Sequence, residues 1–129
     1  MHFELKKEDW GRFFDNLSKR RHEWKTEIEV LSPEVGDQIL SKGILFNGIT
    51  VEAIGGGITI DISVGENTEH HLTHNIKDPS RVAFLAAEAN RGDVVDIEEA
   101  SGTKTLIRFI EPMGIVVGFT EYKGFVANG

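Results

Sequence analysis

The chain has no cysteine. That excludes a disulfide framework, a thiol nucleophile and cysteine-ligated zinc, and it suits a reducing cytosol. It has no apolar run near the ~18 residues that would span a bilayer. Its first residues, Met-His-Phe-Glu-Leu-Lys-Lys-Glu-Asp, lack the apolar stretch of a signal peptide, so the expectation is a soluble protein of the cytoplasm with no membrane partner. Positive charge is scarce as well. With 14 basic against 21 acidic residues the net charge is −7, which repels a phosphate backbone and argues against nucleic acid as a partner.

What remains is ordinary globular material. The 129 residues, 40% of them hydrophobic, suit one domain with its own core. Trp10, Phe13, Phe14 and Leu17 fall at i, i+3, i+4 and i+7, so residues 7–21 read as an amphipathic helix. Glu8 and Asp9 open it and Lys19, Arg20 and Arg21 close it, in the sense that the helix dipole favours. Three aromatics on one stripe require a broad apolar partner such as a sheet face.

Strand patterns follow. Trp24 to Leu31 alternates, with Trp24, Thr26, Ile28 and Val30 on one side. Gly43 to Ile62 alternates, turns over Gly55-Gly56-Gly57 and alternates again, which is a hairpin. A two-residue turn at Gly55-Gly56 places Val51 opposite Ile60 and Ile49 opposite Ile62. A strand over Arg81 to Glu88 precedes a second hairpin, Asp93–Glu99 and Thr103–Ile110, with Glu99 expected opposite Lys104 and Ile97 opposite Leu106. Residues 36–43 and 65–80 read as irregular connections.

The predicted fold class is therefore α+β. An N-terminal helix packs on a curved antiparallel sheet of about six strands that curls toward a small, partly open barrel. Residues 1–110 form the domain, and residues 111–129 form a C-terminal tail that is an edge strand or partly disordered. The expected core is Trp10, Phe13, Leu17, Ile28, Val30, Ile49, Val51, Ile60, Ile62, Phe84, Ile97 and Phe109.

One stretch has a chemical character, His70-His71-Leu72-Thr73-His74, with Glu66, Glu69 and Asp78 close in sequence. Imidazoles ligate transition metals, so His70, His71 and His74 are the candidate metal set and a divalent metal the candidate cofactor. In a strand, His70 and His74 would stand roughly 13 Å apart, too far for one ion. In a helical turn they would be neighbours, but Thr73, Asn75 and Asp78-Pro79 oppose a helix. The plainer use of these rings is to bond polar backbone groups that the loop leaves unpaired. Ser32, Ser63 and Ser101 sit in no nucleophile-elbow sequence, and Gly55-Gly56-Gly57 joins two strands where a phosphate cradle would need a helix. The carboxylates Asp93, Asp96, Glu98 and Glu99 lack the spacing of a calcium loop and read in part as a solvated strand face.

The chain resembles an uncharacterised family of small bacterial proteins, a domain of unknown function. The resemblance rests on Trp10-x-x-Phe13-Phe14-x-x-Leu17, Ile28-Glu29-Val30-Leu31, Gly36-Asp37-Gln38 and Leu45-Phe46-Asn47-Gly48-Ile49. It continues with His71-Leu72-Thr73-His74-x-Ile76-x-x-Pro79, Ile97-Glu98 and Leu106-Ile107-Arg108-Phe109. It covers about Glu8 to Phe109, implies no activity, and singles out His71 and His74. Sm-like barrels offer a looser analogy, opposed by the acidic balance.

Three functions are compatible with these observations. The first is a non-catalytic binding or interaction module whose partner is another protein or itself, as a homo-oligomer, with His71, Thr73 and His74 as its binding residues. The second is a metal-binding protein or metal-dependent hydrolase built on residues 70–74. The third is a small-molecule domain with that loop as the lid of a pocket between helix and sheet.

Overall fold

The computed structural model of the chain describes residues 2–66, 69–86 and 92–110. The eight strands are β1 (His2–Leu5), β2 (Lys25–Ser32), β3 (Gly36–Ile54), β4 (Gly57–Gly65), β5 (His71–Lys77), β6 (Pro79–Leu85), β7 (Val94–Glu99) and β8 (Lys104–Ile110). A single 3₁₀ turn, Lys7–Asp9, leads into helix α1, Trp10–Arg20. All pairings are antiparallel and the sheet order is β1-β6-β7-β8-β2-β3-β4-β5. The fold is α+β as expected. The sheet is curved but open, with β1 and β5 as its two ends, so the expected curl into a barrel stops short of closure.

The centre of this arrangement is β3. It spans 19 residues, pairing with β2 through its first half and with β4 through its second. Register shifts beside Leu40, Gly43 and Asn47 put extra residues into the strand, which bends it and increases its twist. The shift at Asn47 also turns Phe46 inward beside Ile49, although the two are an odd number of residues apart. At the far end, Gly55 and Gly56 both take positive φ, and the tight turn they make sets Val51 against Ile60 and Ile49 against Ile62.

Helix α1 packs on the buried face of the sheet, chiefly against β3. Trp10, Phe14 and Leu17 are buried, and Phe13 lies half-buried against Phe84 at a centroid separation of 5.5 Å. The sheet contributes Ile28, Phe46, Ile49, Ile60, Ile62, Ile97, Ile107 and Phe109 to the same core. Ser18 ties helix to strand, its Oγ accepting the Ile49 N–H at 2.9 Å.

Polar pairs fasten the remaining elements. Arg21, just past α1, donates from Nε to Asp93 Oδ2 at 3.2 Å and lays its guanidinium 4.3 Å from the centre of the Trp24 ring. Arg21 thus has a partner well beyond the helix dipole, and Asp93 leaves the solvated acidic set. Arg81 bonds Glu4 at 3.0 Å and Glu98 at 2.7 Å, linking β1, β6 and β7. These charge-assisted bonds hold the guanidinium above its ordinary pKa, that to Glu4 foremost.

Three sequence expectations need correction. Residues 36–43 are not a connection but the first half of β3. Residues 65–80 contain β5 and the start of β6, joined by Asp78 alone. The β7–β8 turn holds three residues, Ala100 to Gly102, so Glu98 rather than Glu99 stands opposite Lys104, and Asp96 opposite Leu106. The expected tail, 111–129, lies outside the described residues. No helix among the described residues is long and apolar enough to cross a membrane.

Candidate functional site

The histidine stretch lies on the last strand of the sheet. β4 ends at Gly65, whose φ of +145° turns the chain, and the Glu66 N–H donates to the His70 carbonyl at 3.0 Å across the corner. A Cβ at position 65 would stand 2.7 Å from the His71 Cα and closer still to the His70 carbonyl, so the corner admits only glycine. β5 then pairs with β4 without interruption, Gly65 opposite His71 through to Thr59 opposite Lys77. At Asp78 the backbone takes φ +49°, and the Asp78 carbonyl accepts the Ala100 N–H at 3.0 Å.

Strand geometry separates the candidate residues. Successive side chains alternate, so Leu72, His74 and Ile76 face the core side, while His71, Thr73, Asn75 and Lys77 are exposed. On the exposed face the His71 Nε2 lies 2.9 Å from the Ser63 Oγ, Thr73 stands opposite Ser63, and Asn75 donates to Asp61. On the other face His74 Nε2 lies 3.3 Å from the Oγ1 of Thr105, a fully buried residue of β8. His74 therefore bridges the two halves of the curved sheet. Desolvation holds its pKa below the ordinary histidine value.

The structure thus brings His71 and Thr73 onto one face and sends His74 to the other, with His70 preceding the strand. The candidate metal set His70, His71 and His74 is not gathered around one point. Among the described residues no group of three or more His, Asp or Glu side chains could hold a metal ion. Side-chain hydroxyls, where backbone carbonyls were expected, partner the two strand histidines.

Ser63 and Thr105 are the site residues that sequence reasoning missed. Ser63 meets His71 only through the β4–β5 ladder, and Thr105 meets His74 only through the bend of the sheet; neither contact leaves a local pattern. A serine hydroxyl 2.9 Å from an imidazole has the spacing of a nucleophile and its base. Here both lie on an exposed strand face, where water competes for each group.

A groove of about 520 Å³ lies elsewhere, between the end of β2 and the β7–β8 hairpin. Leu31, Pro33 and Leu106 give it apolar walls, and Asp96 and Lys104 its charge. None of the histidines lines it. Between α1 and the sheet, where the third reading sets its pocket, the side chains of Trp10, Phe14 and Leu17 are buried.

Comparison with known proteins agrees with the motif reading. An uncharacterized protein of Aquifex aeolicus (strain VF5) is 24% identical over 104 residues, covering 81% of this chain and 87% of that protein. No solved structure matches the chain. A family model spans residues 1–116, taking in α1, the whole described sheet and the His71–Pro79 motif. The chain belongs to that family, a family of unknown function designated DUF5335.

Proposed function

We propose that the protein is a non-catalytic interaction module of the cytoplasm that receives a partner strand along the edge of β5 that no described strand covers. The observation that carries this reading is the contrast between β5 and other edges of the described sheet. A free edge presents unpaired N–H and C=O groups, and folded proteins blunt such edges by shortening, bulging or charging them. β1 has four residues, with Glu4 among them. The half of β3 that lacks β4 is broken by register shifts and carries Asp37 and Lys42. β5 runs seven residues in unbroken register with β4 and, among the described residues, has a strand on one side only.

Addition of a strand there would bury the backbone edge and cover Leu72 and His74, both half-exposed at the rim of the core. His71 and Thr73, on the outer face, would select among partners. Hydrogen exchange read amide by amide tests the reading. In dilute protein, alternate β5 amides, those not bonded to β4, should exchange rapidly while their neighbours are protected. Uniform protection of β5 in dilute protein would mean that the edge is already covered, and the reading would fail.

A further inference from the structure

We propose that the strand received by β5 is the β5 of a second copy, paired antiparallel about a two-fold axis midway between the two His74 residues. The inference rests on the interaction reading above and adds the identity of the partner. A two-fold axis normal to a sheet keeps each side chain on its own face, so it must lie level with a residue position rather than between two. His74 is the middle residue of the seven in β5, and only an axis there pairs the whole strand.

The resulting pairs are chemically matched. On the core side Leu72 meets Ile76, apolar against apolar, and the two His74 residues face each other. On the outer side Thr73 meets Asn75, a hydroxyl beside an amide, and His71 meets Lys77 at the ends. Charge favours this strip over the other edges. The chain carries −7, so two copies repel over most of their surfaces. Residues 71–77 contain no carboxylate, and their one fixed charge, Lys77, falls at the rim. The other edges would place Glu4, or Asp37, at the seam.

The test uses the full chain and two exposed-face double variants, Thr73→Lys/Asn75→Lys and Thr73→Glu/Asn75→Glu. Each puts like charges opposite one another across the axis, and a mixture of the two puts opposite charges there. Native mass spectrometry and light scattering should show a wild-type dimer and at least about a tenfold weaker self-association for each variant alone. Mixing the variants should restore a dimer, now mixed in composition. Circular dichroism and a thermal melt confirm that each variant is folded.

Three results would overturn the inference. A wild-type dimer indifferent to both variants would place the contact on another surface. A wild-type monomer at about 0.1 mM whose alternate β5 amides exchange rapidly would leave the edge reading standing with a different chain as partner. A monomer with all β5 amides protected would remove both.

Discussion

Replacing Arg21 by methionine keeps most of the side-chain length and removes the guanidinium from the loop that joins α1 to β2. The Asp93 side chain is 8% exposed and that of Arg21 17%, so the pair lies largely out of water. At the 3.2 Å separation of Nε and Oδ2 and an effective dielectric constant of about 20, their attraction is about 5 kcal/mol. The same substitution strips the cation from the Trp24 face, about 0.5–1 kcal/mol more. Against this, methionine recovers some apolar contact, and water reaches the vacated carboxylate. The expected net loss is about 3–5 kcal/mol, the usual cost of breaking a largely buried ion pair by removing one side of it. A domain of this size has about 5–15 kcal/mol in all, so the variant should remain folded but melt roughly 10 °C or more below the wild type. Urea titration monitored by Trp fluorescence and circular dichroism measures it, with an unchanged slope and a lower midpoint. The double variant Arg21→Met/Asp93→Leu should recover part of the loss, because both charges of the pair are then replaced by apolar side chains. If Arg21→Met alone costs less than about 1 kcal/mol, the pair behaves as a surface ion pair and the reasoning from burial is wrong.

Gly65→Ala should destabilise the β4–β5 corner by at least about 1–3 kcal/mol from backbone strain, and hydrogen exchange should show β5 loosening before the rest of the sheet. For His74, burial resists protonation in the folded state, so the unfolded chain binds the extra proton in acid. Stability should therefore fall as pH drops through the ordinary histidine range, and urea midpoints at pH 7.5 and 5.5 should differ less in His74→Leu than in the wild type. Within the chain, Ile62 opposite His74 in the ladder and Thr105 beside its Nε2 do not titrate, so an equal pH slope in both proteins, measured where the chain is monomeric, would contradict this assignment. Glu29 has its pKa raised chiefly by a hydrogen bond with Asp37, then by desolvation and repulsion from the same carboxyl. The folded state holds that proton more tightly, so the pair's contribution is present in acid and lost as pH rises through the raised value. Asp37→Asn should abolish that loss, by an amount that added salt reduces because both groups meet solvent.

The parts of the fold that were legible in the sequence are those made by neighbours. Gly55-Gly56 demands one kind of turn, and that turn alone fixed Ile49 against Ile62. Trp10, Phe14 and Leu17 lie on a helical stripe whatever they pack on. The second hairpin was legible as a hairpin, but its register slipped by one because Ser101-Gly102 looked sufficient for a turn that also takes Ala100. β5 went unread for a physical reason. Its core-facing row is Leu72, His74 and Ile76, and an imidazole at the centre interrupts the apolar alternation that marks a strand. The first half of β3 was hidden by its irregularities, since each extra residue shifts the period of two. The site was less legible still. The motif pointed to His71 and His74 as a pair, whereas in a strand an odd separation puts them on opposite faces, and their hydroxyl partners come from β4 and β8.

The long β3 strand has a consequence for how the chain reaches this state. From β2 to β5 each strand folds back on the one before it, so four strands assemble by short loop closures. The β2–β8 and β1–β6 contacts are different, because they join positions roughly eighty residues apart and wait on slow, entropically costly encounters. A nascent meander centred on β3 would thus exist before either encounter, exposing Ile28 and Phe46 until β8 arrives with Ile107 and Phe109. The interval before β8 docks is when the chain is most exposed to misassociation, and the speed of that docking governs its yield.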